Sequence, residues 1–199
     1  RAYLAGAGDG PVLVALDLSL PDRPAELDSL PALGAAHRPW PDADGVWLAR
    51  GYEGLSRYRL SASGLLEVQG QYSISGEVGQ ITAGADWLLA GGRGGWALLG
   101  LNGERLPEVL ALAPDPLPVR GVATNGEMIG VAAGESGVAL YNLGGGQTGQ
   151  PVLITQREAR GSATGIALDE RFVYVADADG LSIYDNRYLQ PVTRVALPA

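Results

Sequence analysis

The chain has no cysteine and no lysine, and only one histidine, one methionine and one phenylalanine among its 199 residues. Without cysteine, disulfides, zinc–thiolate centres and thiol nucleophiles are excluded. With His37 alone, neither a histidine-based triad nor a multi-histidine metal site can be assembled. All 14 basic residues are arginine, against 22 acidic ones, for a formal charge of −8. That balance lacks the positive footprint of a nucleic-acid binder and would not draw the chain to anionic lipid. No apolar run approaches the roughly 18 residues that mark a membrane-spanning helix, which argues against membrane insertion. The opening Arg1-Ala2-Tyr3-Leu4-Ala5 passes almost at once into Gly and Asp and is no signal peptide.

Hydrophobic residues make up 46% of the chain and charged residues 18%, enough apolar material to offset chain entropy and form an ordered core. The 30 glycines and 13 prolines are scattered as punctuation between short apolar runs, which favours an all-β fold.

An internal repeat organises those runs. A branched aliphatic residue followed by alanine recurs at Leu4-Ala5, Leu48-Ala49, Leu89-Ala90, Val131-Ala132 and Val175-Ala176, the alanines 44, 41, 42 and 44 residues apart. A glycine follows each pair (Gly10, Gly54, Gly95, Gly137, Gly180), and after it comes a second apolar run. A third column, Trp40, Ile81, Val122 and Ile166, precedes each of the last four pairs. Each copy therefore reads as strands A, B, C and D joined by tight turns. One four-stranded meander cannot bury both its faces, whereas radial packing of several covers them. Four strands in a period of about 40–45 residues are expected to form a β-propeller rather than a β-sandwich. The expected fold is thus an all-β propeller of about five four-stranded blades, at approximately 1–32, 33–76, 77–115, 116–158 and 159–199.

Phe172-Val173-Tyr174-Val175-Ala176-Asp177 through Gly180-Leu181-Ser182-Ile183-Tyr184-Asp185 resembles the LVIVD repeat of bacterial and archaeal propellers. Leu13-Val14-Ala15-Leu16-Asp17, followed by Pro21-Asp22-Arg23-Pro24, resembles the same repeat's strand, Asp and Pro-rich turn. Arg57 and Arg59 in copy two, and Gly100 where an Asp is expected in copy three, stand apart from that pattern. The resemblance implies an exported or surface-associated module (extracellular, periplasmic or on the bacterial cell surface), often joined to other domains of a parent chain. It implies no catalytic residues.

Copy one starts directly at strand B, so the first blade is expected to lack its innermost strand. An unpaired inner edge would leave backbone groups without partners. Arg1 is therefore not expected to be the natural start, and the chain is expected to be a fragment of a larger propeller or multidomain protein.

The B–C turns and D–A connections of a propeller share one face, and loops on a rigid scaffold are where binding concentrates. The candidate binding residues there are His37, Arg38, Trp40, Tyr52, Glu53, Arg93, Arg120, Glu135, Arg160, Asp177 and Asp179, with Asp9 in the first B–C turn. Trp40 is a candidate to stack on a sugar or peptide at the channel mouth, whereas Trp47, Trp87 and Trp96 read as packing between blades. Asp42-Ala43-Asp44-Gly45 and Asp177-Ala178-Asp179-Gly180 look like the start of calcium loops, but neither reaches a closing Glu, and turn chemistry explains both. Gly144-Gly145-Gly146 precedes no helix and is not a phosphate loop. No metal and no cofactor is expected. The expected function is non-enzymatic binding or scaffolding through the loop face, with protein or carbohydrate as partner. The alternatives are a carboxylate-based glycosidase- or lyase-like enzyme, for which Asp86 and Asp169 are the candidates, and a structural spacer in a large surface protein.

Overall fold

A computed structural model describes residues 1–6, 13–31, 37–42, 45–74, 76–84, 86–101, 107–113, 117–143 and 151–196. Asp9, Asp44 and Gly144-Gly145-Gly146 lie outside them. Among the described residues there are nineteen strands and no helix. The first sheet holds β1 (Ala2–Ala5), β2 (Leu13–Asp17) and β3 (Ala25–Leu30). The second holds β4 (Pro39–Pro41), β5 (Gly45–Ala49), β6 (Leu55–Leu60) and β7 (Leu66–Tyr72). The third holds β8 (Glu77–Ala83), β9 (Trp87–Arg93), β10 (Gly95–Gly100) and β11 (Glu108–Leu112). The fourth holds β12 (Gly121–Thr124), β13 (Met128–Ala132), β14 (Val138–Asn142) and β15 (Val152–Arg157). The fifth holds β16 (Gly165–Leu168), β17 (Phe172–Asp177), β18 (Gly180–Asp185) and β19 (Pro191–Ala196).

Every pairing is antiparallel and every sheet is one contiguous stretch of chain. A sandwich, in which the chain passes back and forth between two layers, is excluded. The leading strands β1, β4, β8, β12 and β16 lie side by side in that order, so the sheets fan out along one inner edge, a propeller-like arrangement. As expected from the repeat, the first sheet has three strands and its leading one is strand B.

The cohesion comes from alternation along each strand, which hands successive side chains to opposite faces. Four apolar clusters result, each between consecutive sheets. Leu13 and Ala15 meet Val46, Leu48 and Tyr58; Trp47 and Ala49 meet Val78, Ile81, Leu88 and Ala90. Leu89 and Leu98 meet Ile129, Val131 and Tyr141; Ala132, Val138 and Leu140 meet Val173, Val175 and Tyr184. Each interface is thus a forward face on a backward face.

This packing corrects two of the sequence columns by one residue each. Ile81, Val122 and Ile166 pair with Ala90, Val131 and Val175, so Ala90 takes the backward position held elsewhere by Leu48 and Val131. The small forward residue of the third sheet is Gly91, where a Cβ would lie 2.6 and 2.8 Å from methyls of Val119 and Val122. Likewise Pro39, not Trp40, pairs with Leu48, and Trp40 points the other way, into the cluster between the second and third sheets. A shift of one residue moves a side chain to the opposite face, which is why a column of similar letters misplaces it.

A second regularity is invisible in the letters. Each C–D pairing breaks register once, at Ala15/Leu16, Arg57/Tyr58, Leu98/Leu99, Leu140/Tyr141 and Ile183/Tyr184. Counted from the B–C pairing, these five irregularities fall at equivalent positions. A bulge there bends the outer strand and adds twist in the same sense in every sheet.

Candidate loop-face site

The B–C turns and the segments entering β8, β12 and β16 lie at the same end of the sheets, and backbone hydrogen bonds tie them together. Gly51 N–H donates to Val78 O and Val78 N–H to Gly51 O, both at 2.9 Å. Gly134 and Ala163 exchange the same pair at 3.0 Å, and Val119 N–H donates to Gly92 O at 2.9 Å. The sequence cause is a Gly-x-x-Gly turn, Gly51-Tyr52-Glu53-Gly54 and Gly134-Glu135-Ser136-Gly137. The first glycine sits at φ 59° or 61°, the left-handed region that L side chains enter at a cost. At Gly54 and Gly137 a Cβ would overlap the carbonyl oxygens of Tyr72 and Arg157. The scaffold of this face is therefore backbone, and its side chains are left to project.

Tyr52 is 73% exposed, and the Arg93 side chain is 75% exposed while lying 3.4 Å from Glu77. His37, Arg38, Arg120, Glu135, Arg160 and Asp179 are also exposed. Arg38 reaches across to Gln80 on β8 (3.2 Å). Gln80 escaped the sequence reading, although it follows directly from setting β8 against β9 by its apolar alternation. Glu53 is ion-paired to the buried Arg50. Trp40 leaves the face altogether for the core, so it does not line a channel mouth.

Asp177 is also turned inward. Its side chain is fully buried and receives Arg194 through both oxygens, Nη2 to Oδ1 at 2.8 Å and Nη1 to Oδ2 at 3.0 Å. Arg194 also donates to Ser182 Oγ (2.7 Å), and Asp179 N–H to Asp177 Oδ1 (2.9 Å). Burial pushes the Asp177 carboxyl up, but the Arg194 and backbone hydrogen bonds outweigh it and hold the group below the usual carboxylate range. Asp177 in turn raises Arg194. A guanidinium already occupies the place a calcium ion would take.

Asp169, Asp42 and Asp86, together with Asp185 and Asp17, lie in or beside turns at the opposite end. Asp169 Oδ1 accepts from the N–H groups of Arg171 and Phe172, both at 2.7 Å, and Oδ2 from Tyr174 OH at 2.7 Å. Those bonds, the Arg171 N–H first, hold its carboxyl low, and the bond to Asp169 raises Tyr174. Asp42 accepts from Gly45 N–H, the Trp47 indole and Arg57. Asp185 accepts from the N–H groups of Tyr188 and Arg187, and Asp17 from Ser19; both are held low by those bonds. Asp86 precedes β9 in the same type of turn, its carbonyl accepting from Leu101 N–H at 2.7 Å. Among the described residues no group of three His, Asp or Glu side chains is placed to hold a metal ion.

Clefts bounded by described residues open at both ends of the sheets. One of 200 Å³ lies on the loop face, walled by Ile74, Glu77, Gly91, Gly94, Trp96 and Ala113. A larger one of 510 Å³ lies at the opposite end between the C–D turns of the first two sheets, lined by Asp17, Ser19, Leu60, Ser61 and Gly64. In the larger cleft the Asp17 carboxylate is engaged by Ser19. The smaller adjoins the Arg93–Glu77 pair and the exposed turn residues.

No family model and no curated protein matches the chain. In fold it is similar to the crystal structure of the computationally designed Ika4 protein, with a TM-score of 0.58 over 77% of this chain and 92% of that one. The two are 13% identical, so the likeness carries the fold alone.

Proposed function

We propose that the chain is a non-enzymatic binding or scaffolding module that engages protein or carbohydrate through its loop face. Its sheets are read as about five blades of a β-propeller of the LVIVD type, the first without its innermost strand. An exported or surface-associated bacterial setting follows from that resemblance and is part of the proposal. The observation that supports the reading is the division of labour on this face. Backbone hydrogen bonds fix the turns, which leaves Tyr52, Arg38, Arg93, Arg120 and Arg160 in solvent, the pattern of a preorganised paratope-like surface. Of the two carboxylates named for an enzyme, Asp169 is bonded within its own turn and lies at the end opposite this face.

The test is a glycan array and a displayed-peptide screen with the 199-residue chain, repeated with Tyr52→Ala combined with Arg93→Ala and Arg120→Ala. The reading expects binders whose signal drops at least ~10-fold in the triple variant and is unchanged by Asn125→Ala at the opposite end. Binding that survives the triple variant, or cleavage of an arrayed glycan, would overturn it.

A further inference from the structure

Among the described residues, the forward face of each of the first four sheets is covered by the next sheet, but the forward face of the fifth is not. Its residues repeat the covered ones position for position. Tyr174 stands where Trp47 and Leu89 stand, Ala176 where Ala49 and Ala132 stand, and Ile183 where Leu98 and Leu140 stand, as the B–C pairings place them. Leu181 and Val195, paired across β18 and β19, complete a row without charge, yet they are 36% and 57% exposed. The backward face of the first sheet is the converse. Ala2, Leu4, Val14 and Leu16 stand where Val46, Leu48, Ser56 and Tyr58 are buried against a preceding sheet, and Leu4 is 56% exposed. No apolar cluster among the described residues joins the first sheet to the fifth. An antiparallel sheet that faces water alternates apolar and polar residues; here the polar ones, Ser29 and Glu26 beside Val14 and Leu16 and Thr193 beside Ile183, lie on the outermost strands, and the two inner strands of each face are apolar.

We propose that the occupant of each face is a second copy of this chain, the fifth sheet of one copy packing on the first sheet of the other. The chain carries one uncovered forward face and one uncovered backward face, and these are the two surfaces that mate at its four internal interfaces. Continuity of the interface therefore sets the orientation: head to tail, forward on backward, not like on like. In this proposal the two copies join at both ends, which requires the fan of each to span half a turn and leaves neither face exposed. This inference rests on the propeller-like fan and not on any ligand of the loop face.

The test is the solution mass by light scattering and sedimentation at ~1–100 μM, a range in which an association with micromolar Kd is seen, for the wild type, Leu4→Glu and Leu181→Glu. The wild type is expected to sediment as two chains at the upper end of that range. Each variant, by placing an unpaired carboxylate in an apolar contact, is expected to weaken the association ~100-fold or more while keeping the wild-type circular dichroism. Mixing the two variants is the discriminating arm. Leu4→Glu keeps a sound fifth sheet and Leu181→Glu a sound first sheet, so the mixture should recover a one-to-one pair that neither forms alone. A wild type that stays single across the range overturns the proposal. So does a mixture that recovers nothing, or a pair of variants that lower the melting temperature of a single chain without changing its mass, since the two faces would then meet within one molecule. Loss of loop-face binding in Tyr52→Ala leaves these outcomes untouched, so the two readings fail separately.

Discussion

Asp177 and Asp179 look alike in the sequence, two carboxylates in one turn, but only the first is inside. Its partner, Arg194, lies seventeen residues further on, on the neighbouring strand's partner, and nothing near Asp177 in the chain announces it. Asp177→Asn keeps the shape and one acceptor oxygen but removes the buried counter-charge, leaving the guanidinium with Ser182 and, at 3.9 Å, the exposed Asp179. A loss of about 1–3 kcal/mol is expected, because the guanidinium loses its buried bidentate partner and keeps only an exposed carboxylate nearby; urea unfolding at pH 7 would measure it. The same pair sets a pH dependence. A carboxyl held low in the folded state binds fewer protons there than in the unfolded chain, so its stabilisation is present above the unfolded value of about 3.9 and lost as pH falls through the lowered native one. Asp17, Asp169 and Asp185 act in the same direction. The unfolding midpoint should hold steady from neutral pH down to about 5 and fall below about 4, less steeply in Asp177→Asn than in the wild type. An acid limb of equal slope in both would show that Asp177 is not among the groups responsible.

At the scale of elements, the glycine turns decide which sheet sits beside which. Gly137 has φ 85° and its absent Cβ would overlap Arg157 O, whereas Gly126 has φ 93° and nothing within 4 Å of the same position. Gly137→Ala should therefore cost strain and collision together, about 3 kcal/mol or more, and Gly126→Ala the strain alone, about 1–2 kcal/mol. Thermal unfolding of the pair would separate the two contributions, and equal losses would mean the turn can shift to make room. Much of this level was legible in the chain. The strand order, the three-stranded first sheet and the turns at Gly54, Gly137 and Gly180 all follow from apolar runs and breakers at a fixed period. What the letters could not give is register. Ala90 copies the look of Ala132 but occupies the position of Val131, because β9 runs into a tight turn at Arg93 and Gly94 where the second and fourth sheets spend one more residue between equivalent pairs. The repeated bulge is equally silent, since it depends on how two strands are set against each other and not on any residue type at the break. The candidate face divides the same way: Tyr52, Arg93 and Arg120 are exposed as their turn positions imply, while Trp40 and Asp177 are claimed by partners on other strands.

The whole molecule is held by four interfaces between consecutive sheets, so removing a terminal sheet bares one complete interface rather than a few contacts. A chain ending at residue 158 loses Val173, Val175, Tyr184 and Leu189, which cover Ala132, Val138 and Leu140. Each of the larger side chains so exposed forfeits about 2 kcal/mol of burial, and the staple between Gly134 and Ala163 goes with them. The shortened chain would also end in a bare apolar sheet face of the type that drives association. It should bind a hydrophobic dye, elute as aggregates, and unfold at lower urea with a broader transition than the full chain. A shortened chain that stayed monomeric, with a sharp transition at an unchanged midpoint, would mean that each sheet is stable on its own account and that the neighbour's face contributes little. The converse experiment, restoring residues 159–199 as a separate polypeptide, should recover the wild-type midpoint if the fourth sheet's forward face is a preformed seat for the fifth.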